Sequence, residues 1–313
     1  MRRLVPLCLL VLVCAAVPGT ADARKITRYR VGIGEQDPAM FGDAAFKRLN
    51  LKRVRFIVPW DFYKADYKIA EVGAYLQTAR RAHVEVLLHL TATANCYDGR
   101  YSKAKRCRAP TVSAYTKSVK AIRRYFPSIH VLGAWNEANH KSQPVYRRPG
   151  LAARYYKAMR RVCRTCTIVA GDFLDEPNLA RYARAFRRVA PGARLWGLHN
   201  YRDVNRLRSV GTRTMLRSVP GRVWLTETGG IVRFKGVFSN STRRAAKRLG
   251  YVFRLADRYS RRGRGRSRIA RLYAYTWRGE PKPVSFDAGL VRPDGTPRLG
   301  YKVFRKQLRR HVR

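Results

Sequence analysis

The chain has 313 residues, of which 46% are apolar and 27% charged, enough for a sizeable core and too hydrophobic for wholesale disorder. Lys and Arg number 67 against 19 Asp and Glu, a formal net charge of +48, which bears on solubility and partners and not on fold. Acids are so scarce that a carboxylate at the end of an apolar strand needs a reason.

Residues 1–23 read as a secretory signal. Arg2 and Arg3 precede a short apolar stretch over 4–17, and Ala21-Asp22-Ala23 supplies a small-x-small cleavage site. The stretch is too short for an ordinary spanning helix, so a secreted protein without stable membrane insertion is expected. Cleavage leaves Cys96, Cys107, Cys163 and Cys166. An even count in an exported chain points to two disulfides, and pairing 96–107 with 163–166 is one of three connectivities. Cys163-Arg-Thr-Cys166 has redox spacing, but it ends a helix before a strand, which favours a structural clip.

From residue 29 onward, short β-branched runs alternate with longer amphipathic stretches. Strands are predicted over 29–33, 53–59, 85–90, 131–135, 167–171, 194–198, 222–226 and 271–276, mostly as continuous apolar runs suited to parallel strands buried on both faces. Helices are predicted over 69–82, 112–125, 151–162, 178–189, 243–259 and 299–308, several opening on Pro or small polar residues. Eight such alternations predict a single-domain α/β chain, a (β/α)8 TIM barrel over 24–313. A doubly wound sheet is the rival, but Val31-Gly32-Ile33-Gly34-Glu35 lacks the third glycine of a dinucleotide loop. The Arg-rich run 261–268 falls in a helix-to-strand connection, on the face opposite barrel chemistry.

Chemistry on a barrel occurs at the C-terminal ends of strands. Two glutamates follow apolar runs there: Glu137 after strand four and Glu227 on strand seven. A carboxyl pair across a barrel mouth suits glycoside hydrolysis, in which one acid protonates the leaving oxygen and one carboxylate attacks or stabilises the oxocarbenium-like centre. The two environments must then differ, with Glu137 protonated and Glu227 ionised. Arg55, inside the apolar run of strand two, needs a buried partner, and Glu227 is the natural one. Arg55 and the Tyr201 phenol would keep Glu227 charged.

In chain order the strand ends offer Arg55, His89, Asn136-Glu137, His199-Asn200-Tyr201, Glu227 and Trp277. This set resembles the retaining glycoside hydrolases of clan A, most closely family 5, with family 39 a near alternative, and Asp287-Ala288-Gly289-Leu290 to Pro297 also resembles the close of such barrels. The resemblance covers nearly the whole mature chain as scattered short motifs. It implies Glu137 as acid/base and Glu227 as nucleophile of a double displacement on a β-linked glycan. It further implies that Asn136 meets the sugar 2-hydroxyl, that Arg55 and Tyr201 orient Glu227, that His89 and His199 line the cleavage subsite, and that Trp277 is the stacking platform. Trp60 is a second aromatic candidate without motif support.

Other chemistries find less in the sequence. There is no His-Glu-x-x-His and no paired Cys-His spacing, so neither a metal nor another cofactor is expected. No Gly-x-Ser-x-Gly elbow is present. The basic runs lack interleaved aromatics, so nucleic acid is not expected, whereas an oligo- or polysaccharide substrate is, and an anionic extracellular polymer is a further candidate partner. The alternative function is a non-catalytic glycan- or polyanion-binding barrel.

Overall fold

The β-branched runs pair in parallel, and the amphipathic stretches return each strand to the sheet. The computed structural model describes residues 29–94, 96–97, 102, 104–261, 266–281 and 283–311. The signal-like segment 1–23 and residues 262–265 of the Arg-rich run lie outside them. The barrel strands are β1 (Arg30–Gly34), β2 (Arg53–Pro59), β3 (Glu85–Thr91), β4 (Val131–Gly133), β5 (Thr167–Val169), β6 (Asp172–Leu174), β7 (Leu195–His199) and β8 (Gly221–Thr228). After the two-residue β9 (Arg233–Phe234), β10 (Ser267–Tyr275) completes the set, and β11 (Phe286–Asp287) pairs antiparallel with β9.

The sheet runs β5-β4-β3-β2-β1-β10-β8-β7-β6. Its two ends, β5 and β6, are halves of one interrupted fifth strand, and Ala170 N donates to Leu195 O at 2.9 Å while Gly197 N donates to Gly171 O at 2.8 Å. This is the (β/α)8 barrel expected from the alternation. Around it stand α1 (Ala44–Lys47), α2 (Asp66–Arg81), α3 (Val112–Tyr125), α4 (Pro149–Val162), α5 (Leu179–Val189), α6 (Tyr201–Asn205), α7 (Val210–Ser218), α8 (Thr242–Tyr259) and α9 (Leu299–His311). Thr111 caps α3 by accepting from Ala114 N, and Ser241 caps α8 by accepting from Arg244 N.

The six predicted helices are present with ends shifted by no more than three residues, and the eighth barrel strand starts four residues earlier than expected. Two crossovers differ. The first carries only a 3-10 turn (Pro38–Gly42) and the short α1, and the sixth carries α7, only nine residues long and burying Thr212, Met215 and Leu216. Among the described residues no helix is long and apolar enough to cross a membrane. The disulfides join Cys96 to Cys107 and Cys163 to Cys166, which is the local pairing.

Side chains fill the barrel in layers. Leu87, Val131, Val169, Leu195, Trp224 and Tyr273 form an apolar plug. At its N-terminal end Arg271 sits over the Trp224 ring at 3.8 Å and bonds Glu85 at 2.5 Å. Toward the C-terminal mouth the interior turns polar, and two glycines make room for it. Gly133 is paired with His89 across β3 and β4, and a Cβ there would lie 2.2 Å from the imidazole. Gly197 is paired with Asp172 across β6 and β7, and a Cβ there would meet its carboxylate at 2.1 Å.

Candidate active site

Strand register brings the polar residues together. Arg55 on β2, His89 on β3, Asp172 on β6 and His199 on β7 are all fully buried. Arg55 is the hub. Its Nη1 donates to Glu227 Oε2 at 2.8 Å, and its Nη2 donates to Asn136 Oδ1 at 2.5 Å and to Asp172 Oδ2 at 3.1 Å. Its Nε donates to His89 Nδ1 at 3.4 Å. A guanidinium has no lone pair to offer, so His89 Nδ1 must accept and its proton sits on Nε2. Burial, the largest influence on His89, pushes its pKa down to about 3, in keeping with a neutral ring.

His199 is placed oppositely. Its Nε2 lies 3.0 Å from Asp172 Oδ2 and its Nδ1 3.0 Å from Glu137 Oε1, with Glu227 Oε2 a further contact at 3.7 Å. Ionised carboxylates only accept, so hydrogen on both ring nitrogens satisfies Asp172 and Glu137, and the 3.3 Å approach of Arg55 Nη2 to His199 Nε2 is then that of two donors sharing Asp172 Oδ2. Burial opposes that charge, but Asp172 and Glu227 outweigh it and raise the His199 pKa to about 10.

Glu137 ends the strand-four segment in the left-handed region, φ 50°, an uncommon conformation for a non-glycine residue and one that clusters at functional sites. A carboxyl oxygen of Glu137 and one of Glu227 lie within 4.8 Å of each other, and each lies within the same distance of a His199 nitrogen. Tyr201 OH donates to Glu227 Oε1 at 3.2 Å, and burial followed by the Glu227 charge holds that phenol protonated. Burial pushes the Glu227 carboxyl up, against the pull of His199 and Arg55. Burial also acts on Glu137, but the hydrogen bond and charge of His199 prevail and hold it below its ordinary range. The sense is opposite to the sequence expectation of a protonated Glu137 and an ionised Glu227, because that expectation placed no imidazolium beside Glu137.

Of the sequence candidates, Arg55, His89, Asn136, Glu137, His199, Tyr201 and Glu227 meet in one cluster. Trp277 does not. Its side chain is wholly buried, with Nε1 donating to Asp43 Oδ2 at 2.7 Å and its ring edge-on to Phe46 and Tyr301. The platform expected at Trp277 is therefore corrected to a core position, because the indole turns outward from the barrel onto α1 and α9. A partly exposed aromatic at the end of β10 is Tyr275, which feels the Glu227 charge and packs near Phe286.

Sequence reading also missed Asp172, which receives Arg55, His199 and the hydroxyl of Thr226. The signal was available: Asp172 follows the apolar run of the fifth strand just as Glu137 follows the fourth. Glu137, His199 and Glu227 offer ligand atoms close enough for a metal ion. With both nitrogens of His199 protonated and Arg55 on Glu227, that donor set is already serving cations of its own.

No family model and no characterised protein sequence matches the chain. Solved structures do. A family 39 glycoside hydrolase from the gut symbiont Bacteroides cellulosilyticus WH2 superposes with a TM-score of 0.56 at 13% identity, over 88% of this chain and 63% of that one. The chain thus spans less than two thirds of that protein. The GH5_18 protein of Streptomyces cattleya, solved with GlcNAc, gives a TM-score of 0.64 at 12% identity, over 91% and 80%. Xylanase 10B from Thermotoga maritima gives 0.58 at 10% identity, over 91% and 96%. The chain shares the barrel fold of these clan A glycoside hydrolases.

Proposed function

We propose that the protein is a secreted glycosidase that hydrolyses a β-linked glycan with retention of configuration, with Glu227 as nucleophile and Glu137 as acid/base. The observation that carries this reading is the approach of the two carboxyl groups to within 4.8 Å. Retaining enzymes hold such a pair at about 5–5.5 Å, whereas inverting ones leave about 6.5–9.5 Å for a water. The signal-like segment and the two disulfides support export to an oxidising compartment.

In the first step Glu227 attacks the anomeric carbon while Glu137 gives a proton to the departing glycosidic oxygen. Arg55 and Tyr201 aim the attacking carboxylate. The proton for Glu137 is at hand on His199 Nδ1, 3.0 Å from Oε1. A sugar seated over the partly exposed Glu137 removes water from this ion pair, which favours neutral imidazole and carboxylic acid. Once Glu227 is esterified its charge is gone, the Glu137 pKa falls, and Glu137 serves as base for the incoming water. Asn136, held by Arg55, sits beside the pair where a 2-hydroxyl would lie, and Tyr275 is the proposed stacking surface.

The test is a panel of aryl glycosides and polysaccharides. The wild-type protein is expected to hydrolyse at least one of them, and Glu227→Ala to lose that turnover while keeping its fold. Azide is expected to restore activity to Glu137→Ala on an activated aryl glycoside; a mutant that azide leaves inert would remove Glu137 from the acid/base role.

A further inference from the structure

A cavity of about 830 Å³ is lined by the segments that follow β3 and β4, the second of which carries Glu137. Its walls include Arg108, Lys141, Arg147 and Arg148, together with Tyr97 and Tyr146. Tyr97, Ser102 and Arg108 bring the segment that follows β3 to one wall. The Cys96–Cys107 disulfide ties that segment back, and Cys107 lines the cavity. On the other wall, Glu137 leads through a chain of tight turns to Tyr146. Lys141 is only four residues from Glu137, so their Cα atoms are no more than about 15 Å apart.

Unpaired cations are common on so basic a chain, but these four converge on a concavity. Among the described residues none of them pairs with a carboxylate, and none of the described lining residues is an acid. Lys141 instead lies over the Tyr97 ring at 4.2 Å. The buried Gln143 amide oxygen is taken by Trp135 Nε1. The charged groups on the described lining are therefore all cationic donors, and its remaining side-chain acceptors are the hydroxyls of Ser102, Tyr97 and Tyr146. A neutral sugar presents hydroxyls that need both, whereas a carboxylate or sulfate needs donors and positive charge. A cleft lined by one sign of charge also concentrates ions of the opposite sign.

We propose that this cavity is a subsite for an anionic group, a uronate carboxylate or a sulfate ester, on the saccharide whose glycosidic bond lies over Glu137 and Glu227. The subsite rests on the glycosidase reading above, and it names the class of substrate: an acidic glycan, with the tyrosines as surfaces for its rings.

The test compares binding of tetragalacturonate, a heparin-derived tetrasaccharide and neutral cellotetraose by calorimetry on the full chain. The variant Lys141→Gln/Arg147→Gln/Arg148→Gln removes three charges from the cavity. Arg243→Gln/Lys247→Gln/Arg254→Gln removes three exposed charges from α8 and controls for the general field. A charge-assisted hydrogen bond is worth about tenfold in affinity or more. The cavity variant is expected to bind one of the two anionic probes about tenfold or more weaker, with the α8 variant close to wild type. Loss on tetragalacturonate assigns the carboxylate; because heparin carries uronate carboxylates as well as sulfates, loss on heparin with none on tetragalacturonate assigns the sulfate. Equal losses in both variants, or wild-type binding of the anionic probes no tighter than of cellotetraose, would overturn the proposal. Hydrolysis of a neutral aryl glycoside by the wild-type protein is scored separately, so failure of the catalytic reading is distinguishable from failure of the subsite.

Discussion

Arg55 and Asp172 form a fully buried ion pair beneath the two glutamates, Nη2 to Oδ2 3.1 Å, with neither side chain exposed. Asp172 also holds His199 at 3.0 Å, so one carboxylate positions the cation that faces Glu227 and the cation that faces Glu137. Removing one member of a buried pair leaves the other charge uncompensated, at a cost of about 3–5 kcal/mol. Asp172→Ala is expected to lose stability of that order in urea unfolding. Asp172→Asn, closer in volume, is expected to lower the His199 pKa as followed by NMR; an unmoved titration would show that Asp172 does not position that ring.

The two histidines give opposite pH signatures. His199 is raised from 6.5 to about 10, so its contribution to stability is complete below about pH 6.5 and is lost as pH rises toward 10. His89 is lowered from 6.5 to about 3, so the unfolded chain gains a proton first and stability erodes as pH falls from about 6.5 toward 3. Accordingly, the stability gap between wild type and His199→Gln should narrow between pH 6.5 and 10. His89→Gln should flatten the acid limb. Gaps that stay constant with pH would contradict both assignments.

Tyr201→Phe deletes the hydroxyl that donates to Glu227 and nothing else in that bond. A hydrogen bond to a charged group contributes about 1.5–3 kcal/mol. The variant should therefore lose roughly ten- to hundredfold in kcat on any substrate found, with a circular dichroism spectrum like that of the wild type.

Trp277 and Tyr275 should separate packing from substrate contact. Trp277→Phe loses the bond to Asp43 and buried volume, and is expected to cost about 1–3 kcal/mol of stability with KM little changed. Tyr275→Ala, at a partly exposed strand end, should raise KM more than Trp277→Phe does. The reverse ranking would return the platform role to Trp277.

Much of this was legible in the chain because the same rule governs fold and site. Apolar runs buried on both faces mark the barrel strands, and a polar residue at the end of such a run has been placed there by the barrel mouth. That rule finds Glu137, His199 and Glu227, the related rule of a polar residue inside such a run finds Arg55 and His89, and the fifth strand would have yielded Asp172. It fails at β10, where Tyr275 and Trp277 both lie near the strand end and only the side-chain direction decides which enters the cleft. It also says nothing about protonation. The imidazolium beside Glu137 arises from a contact between residues 62 positions apart, and the Asp172 carboxylate that sustains it comes from a third strand.

The central claim is that Glu137 and Glu227 act together on one anomeric carbon. Proton NMR of the first sugar released from a hydrolysed β-glycoside reads this directly. Two displacements across so close a pair should release the β-anomer first, followed by mutarotation. An α-anomer appearing first would mean that water attacks the anomeric carbon in a single step, and Glu227 could not then be the nucleophile.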